Sequence, residues 1–258
     1  MTPFGPSGAR PAPQFLSDQI SSNAVRPSSF ARRDTVADWG YNPYMRELLL
    51  VCLLAAPAFA QSGALGAFTN SDDVGAPPIK GSAEFDASKA EYRITGSGSD
   101  IWGKADQFHY LWRRMSGDFT ITATAKFLTD GNDHRKASIM LRQSLDTDSP
   151  FLHLVIHGNG MPGVQFRGAK AASVNTVDMP IEGAGTFTLK LVRKGASITV
   201  WVAKDNGPLR ERGTTQNQLG SPVLVGLGVA SHTTTAANTV LFSNVSVEQP
   251  APAGAKGQ

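Results

Sequence analysis

Several side chains suited to gripping a polyhydroxylated ligand stand opposite the apolar residues of their own segments. Arg142, His153, His157, Gln165, Arg167, Lys190 and Trp201 form this set, and Trp102 joins it from upstream. A sugar presents apolar C–H faces and paired hydroxyls. Flat aromatic rings match the faces, and planar polar side chains match the hydroxyls. If the segments carrying these residues are neighbouring strands, the set lines one open surface. The bland alternative is a solvated sheet face with Trp201 partly covered by a loop.

Patterns for catalysis are weaker. A glycosidase needs two carboxylates close together as acid and nucleophile or base. The nearest stretch is Glu84-Phe85-Asp86-Ala87-Ser88-Lys89, where a second glutamate is missing. Glu91, Glu182, Glu211 and Glu248 stand apart beside turns or strand ends. There is no Gly-x-Ser-x-Gly elbow and no His-Glu-x-x-His pair. The expected catalytic set is therefore none, and the chain is expected not to be an enzyme, although folding could still gather scattered residues.

Metal patterns are equally thin. The histidines are His109, His134, His153, His157 and His232. On a strand His153 and His157 share a face but stand roughly 13 Å apart, too far to grip one metal without a third group. The loop Asp130-Gly131-Asn132-Asp133-His134 has oxygen-bearing side chains and could hold a structural Ca²⁺. It lacks the full calcium-loop spacing, and these residue types are default turn formers. The expectation is a turn, with no metal or other cofactor.

The elements that must position these groups are strands. Phe119, Ile121, Ala123, Ala125 and Phe127 alternate with Thr120, Thr122, Thr124 and Lys126. Leu152, Leu154 and Ile156 alternate with His153, Val155 and His157. Similar period-two runs cover 108–112, 164–167, 187–191 and 198–203, and no sustained 3.6 period competes. Turn chemistry separates the runs at Ser116-Gly117-Asp118, Asp130-Gly131-Asn132-Asp133, Gly158-Asn159-Gly160, Arg193-Lys194-Gly195 and Asp205-Asn206-Gly207-Pro208. Many short strands with such turns predict an all-β, two-sheet antiparallel sandwich.

The ends of the chain carry different signals. Arg46, the apolar run from Leu48 to Ala56, and Ala58-Phe59-Ala60 read as a secretory signal peptide over 45–60, cut after Ala60. The run is too short for a stable membrane span, which needs roughly 20 residues. Export to the periplasm or beyond is the expectation. Residues 1–44 are rich in Pro, Ser and Arg and are expected to be disordered, an upstream extension ahead of a true start at Met45. A cytoplasmic tail before an uncleaved anchor is the alternative. Cys52 is the chain's single cysteine and lies inside the signal, so no disulfide or thiolate site is expected beyond it. Residues 61–78 read as a flexible lead-in, 79–248 as the sandwich and 249–258 as a disordered tail. The formal charge of +3 is too weak to argue for nucleic acid.

Ordered pieces of the sandwich resemble a bacterial family. They include Tyr92-Arg93-Ile94-Thr95-Gly96, Ser99-Asp100-Ile101-Trp102-Gly103, Phe108-His109-Tyr110-Leu111-Trp112, His134-Arg135-Lys136-Ala137 and Met140-Leu141-Arg142. Val155-Ile156-His157-Gly158-Asn159-Gly160, Gln165-Phe166-Arg167, Val229-Ala230-Ser231-His232 and Phe242-Ser243-Asn244-Val245 continue the order. The set resembles concanavalin A-like sandwiches of the enolase-regulation-like kind, which often precede TolB-like propellers. The resemblance covers roughly residues 81–247. It implies a jelly-roll double sheet and no settled activity. In such folds the concave face often holds glycans. The leading expectation is thus an exported, non-catalytic module binding carbohydrate or another cell-envelope ligand. The alternatives are a periplasmic interaction module partnering a TolB-like propeller, and a glycoside hydrolase-like enzyme.

Overall fold

The computed structural model describes residues 65–181, 183–216 and 219–250. The signal at 45–60, the extension at 1–44 and the tail from 251 onward lie outside these residues.

Sixteen strands run in chain order through the described residues. The first five are β1 (Asn70–Val74), β2 (Ser82–Asp86), β3 (Glu91–Gly98), β4 (Ile101–Trp102) and β5 (Ala105–Asp106). Then come β6 (Phe108–Met115), β7 (Phe119–Phe127), β8 (Lys136–Arg142), β9 (Phe151–His157), β10 (Pro162–Arg167) and β11 (Asn175–Asp178). β12 (Phe187–Lys194), β13 (Ser197–Lys204), β14 (Arg210–Gln216), β15 (Val223–Ala230) and β16 (Thr233–Glu248) complete the order. Four of the five expected turns fall between strands; the fifth, Arg193-Lys194-Gly195, starts too early, since Arg193 and Lys194 still belong to β12 and only Gly195 lies in the turn.

The strands form two seven-stranded sheets. The first runs β1-β6-β15-β8-β9-β10-β11 and the second β14-β13-β12-β7-β16-β3-β2, with β4 and β5 as a separate hairpin. Every pairing is antiparallel. This is the all-β two-sheet sandwich that the alternation predicts. No helix of the described residues is long and apolar enough to cross a membrane.

The main core lies between the sheets. Ile139 and Leu141 of β8, with Leu152, Leu154 and Ile156 of β9, meet Ile121 and Ala123 of β7, Leu189 and Leu191 of β12, and Val200 and Val202 of β13. Each such Val, Leu or Ile side chain, fully buried, contributes about 1.5–3 kcal/mol.

The first sheet is also covered on its outer face, which the alternation did not foretell. Ile101 of the hairpin, with Val74, Phe108, Tyr110, Met140, Phe151 and Leu224, forms a second, smaller core there. Tyr110 Oη lies 3.0 Å from the carbonyls of both Met140 and Leu224, which share its single O–H.

The expected lead-in also proves to be partly structure. Residues 70–74 form β1 on the edge of the first sheet, paired with β6. The Trp112 indole N–H donates to Asp72 at 2.8 Å, and His109 Nδ1 lies 2.7 Å from an Asp73 oxygen. The segment Asn-Ser-Asp-Asp-Val carries no apolar alternation because only Val74 faces packed surface.

Candidate functional site

A buried ion cluster holds the hairpin down. The Asp106 carboxylate accepts from Arg142 Nη1 at 2.6 Å and from both terminal nitrogens of Arg167 at 2.7 Å. All three side chains are fully buried. The remaining guanidinium hydrogens reach backbone carbonyls of Ser144, Asp146, Thr147, Ser149, Ala172 and Gly103. Buried charges must be paired and hydrogen-bonded. Arg142 and Arg167, expected on an open surface, are therefore clamps beneath the hairpin and two loops. Alternation told which sheet face they use, but not that an aspartate from elsewhere covers it.

Beside this clamp the outer face opens into a cavity of about 370 Å³. Its floor is Lys136 of β8, His157 of β9 and Gln165 of β10. Asp100 and Trp102 wall it from the hairpin side, and Thr176 and Asp178 from edge strand β11. His134 enters from the loop before β8, and His232 from the β15–β16 turn. Trp102 is 41% exposed, so its ring is open to a ligand.

Hidden partners fix the hydrogen-bonding direction of two floor residues. His157 Nδ1 lies 2.9 Å from the Met161 carbonyl, which only accepts, so Nδ1 carries a proton. Its Nε2 has no protein partner among the described residues. Behind the floor, His153 Nε2 donates to Gln165 Oε1 at 3.0 Å. The Gln165 amide NH₂ is left as the donor facing away from His153. Burial pushes the His153 pKa down to about 3, so this ring stays neutral, and its Nδ1 has no partner. Burial also lowers the His157 pKa, with Lys136 and His134 adding to the effect and the Met161 carbonyl opposing it.

Asp100 organises the opposite wall. It forms an ion pair with Lys136, and its second oxygen lies 3.2 Å from His232 Nδ1, too poorly aligned for a hydrogen bond. His232 takes φ +57°, a left-handed backbone uncommon outside glycine and associated with sites that need a fixed aim. The His134 ring centroid is 5.3 Å from that of His232 and 6.2 Å from that of His157. The Lys136 ammonium sits 5.8 Å from the Trp102 ring centroid.

Of the sequence-predicted set, the fold thus brings Trp102, His157 and Gln165 together and puts His153 directly behind them. Lys190 and Trp201 lie on the second sheet, away from this face, where they are register partners. There the Lys190 ammonium stands 5.2 Å from the Trp201 ring centroid. The expectation of one surface fails because the segments carrying the set are not all neighbours. Asp100, His134, Lys136, Asp178 and His232 were missed. Their one sequence signal, for all but Asp178, is membership in the segments that carry the family resemblance.

The Asp130 loop is a turn. Gly131 and Asn132 carbonyls accept from Arg135 Nη1, and the Asp130 carbonyl accepts from Asn238 Nδ2. Among the described residues no group of three or more His, Cys, Asp or Glu side chains is arranged to hold a metal ion.

No family model matches the sequence, and no curated protein matches it. Solved structures do match in fold. A functionally unknown protein from Saccharomyces cerevisiae superposes with a TM-score of 0.55 at 18% identity, covering 73% of this chain and 99% of that one. A carbohydrate binding module, CBM66, from Bacillus subtilis gives 0.47 at 17% identity over 70% of this chain and 97% of that one. Peanut lectin gives 0.41 at 10% identity over 70% and 100%. At such identities the likeness speaks to the sandwich alone.

Proposed function

We propose that this chain is a non-catalytic glycan-binding module whose ligand sits in the Trp102–His157–Gln165 cavity. The observation that carries this reading is the pairing of an exposed aromatic ring with floor groups whose hydrogen-bonding directions are set from behind. Trp102 supplies a face for sugar C–H groups. Gln165 and Lys136 supply donors, Asp100 and Asp178 supply acceptors, and the imidazoles supply either. The volume lies at the lower end of ligand sites, which run about 300–1,000 Å³. Export through the 45–60 segment and membership in the concanavalin A-like family named above belong to the same proposal.

The test is a glycan array probed with the wild-type chain and with Trp102→Ala and Trp201→Ala. Aromatic contacts are worth about 0.5–1.5 kcal/mol beyond area, so Trp102→Ala should bind several-fold more weakly. Trp201→Ala should bind as wild type does. Loss in Trp201→Ala alone would move the site to the second sheet, and no binding at all would favour the propeller-partner role.

One observation favours a second, catalytic reading: two carboxylates, Asp100 and Asp178, line the same cavity. Against it, Asp100 is held by Lys136 and Asp178 accepts from the Thr176 hydroxyl at 2.9 Å. Release of reducing sugar by wild type but not by Asp178→Asn would establish the catalytic reading.

A further inference from the structure

The cavity holds more potential cations than its own carboxylates can balance. The charged and titratable groups facing it are Asp100 before β4, His134 before β8, Lys136 on β8, His157 on β9, Asp178 on β11 and His232 after β15. Asp100 stands against both Lys136 and His232. Asp178 is on the edge strand, engaged by Thr176. His134 and His157 have no carboxylate partner among the described residues. Their rings lie 6.2 Å apart, close enough to repel when both are charged. An anion among them would remove that repulsion.

The donors there also have the right shape. The Gln165 amide and the His157 imidazole are planar groups with fixed orientations. Once protonated, His157 offers Nε2–H while Nδ1–H keeps its bond to Met161. Two planar donors beside an ammonium suit the two oxygens of a carboxylate.

We infer that the ligand is an acidic glycan, its sugar bearing a carboxylate, and that binding draws a proton onto the imidazole cluster. This rests on the glycan reading above. The burial that lowers the His157 pKa favours a neutral His157 ring in the empty site, and a bound carboxylate beside it opposes that preference. Affinity then rises as pH falls through the imidazole range.

The test is isothermal titration calorimetry of the full chain at pH 7.5 and 5.5, in buffers of different ionisation heat. The probes are trimers of galacturonate, glucuronate and mannuronate, each beside its neutral counterpart. At least one uronate trimer should bind about ten-fold more tightly at pH 5.5, with proton uptake approaching one per ligand. The neutral trimers should show neither effect. His157→Gln, confirmed as folded by circular dichroism, should still bind the uronate weakly but lose most of the proton uptake. Uronate binding that is independent of pH, or neutral trimers binding equally well, would overturn the acidic-ligand inference and leave the glycan reading standing. Absence of binding by any trimer at either pH would overturn both.

Discussion

His153 shows how one buried side chain couples stability to pH. The ring is fully buried and its pKa is pushed down to about 3 from an ordinary 6.5, chiefly by burial. Between those values the unfolded chain takes up a proton on this ring and the folded chain does not. Stability is therefore fully present above about pH 6.5 and is lost as pH falls. One such group contributes a slope of up to about 1.4 kcal/mol per pH unit. His153→Gln keeps a donor for Gln165 and removes the titration. Denaturant melts at pH 6.5 and 5 should show the variant losing less stability than wild type over that interval, even if it starts lower. Parallel loss in the two proteins would mean that His153 is not held as a neutral, buried ring. His157 shifts in the same direction, so some slope should remain in the variant.

At the scale of elements, the β4–β5 hairpin decides whether there is a site. It brings Asp100 and Trp102 to the cavity and is fastened by Asp106 against Arg142 and Arg167. Removing one partner of a buried ion cluster costs about 3–5 kcal/mol, because the remaining charges stay buried unpaired. Asp106→Ala should lower stability by that order in urea titrations. In whatever fraction stays folded, it should weaken ligand binding although Asp106 does not line the cavity. Unchanged affinity in a destabilised but folded variant would show that the hairpin holds its position without the clamp. Little of this element was legible in the sequence. Strands of two residues are too short to display a period, and Asp106 among ordinary loop residues gives no hint of its partners 36 and 61 positions away. The long strands were legible because Phe119 to Phe127 and Phe187 to Lys194 must alternate to bury one face. The same rule marked Arg142 and Arg167 as outward-facing, which is correct for their own sheet. It could not distinguish an outer face in water from one beneath a second core. Nor could it separate His157 from Trp201, since period two says which face a residue uses and nothing about which sheet.

At the scale of the whole molecule, two open sheets leave four edge strands: β1, β11, β14 and β2. Exposed edges invite pairing with other chains unless they are short, polar or charged. All four follow this rule. β11 has four residues, Asn-Thr-Val-Asp; β14 begins Arg-Glu-Arg; β2 carries Glu84 and Asp86; β1 carries Asp72 and Asp73. The strand that β1 shields is different. β6 reads Phe-His-Tyr-Leu-Trp-Arg-Arg-Met, and its Phe108, Tyr110, Leu111 and Met115 are buried. Deleting residues through 78 would expose that edge and strip Trp112 and His109 of their aspartates. It would also remove Phe68 and Val74, now 4% and 1% exposed. Those two apolar side chains alone account for roughly 1.5–3 kcal/mol each. A chain of residues 79–258 should therefore melt well below one of residues 61–258, or collect in the insoluble fraction through its uncovered β6 edge. Comparing the soluble yield and melting temperature of the two checks this. Equal values would place the start of the folded unit at residue 79 and reduce β1 to an accessory strand. A large deficit would make the polar segment before residue 79 part of the fold.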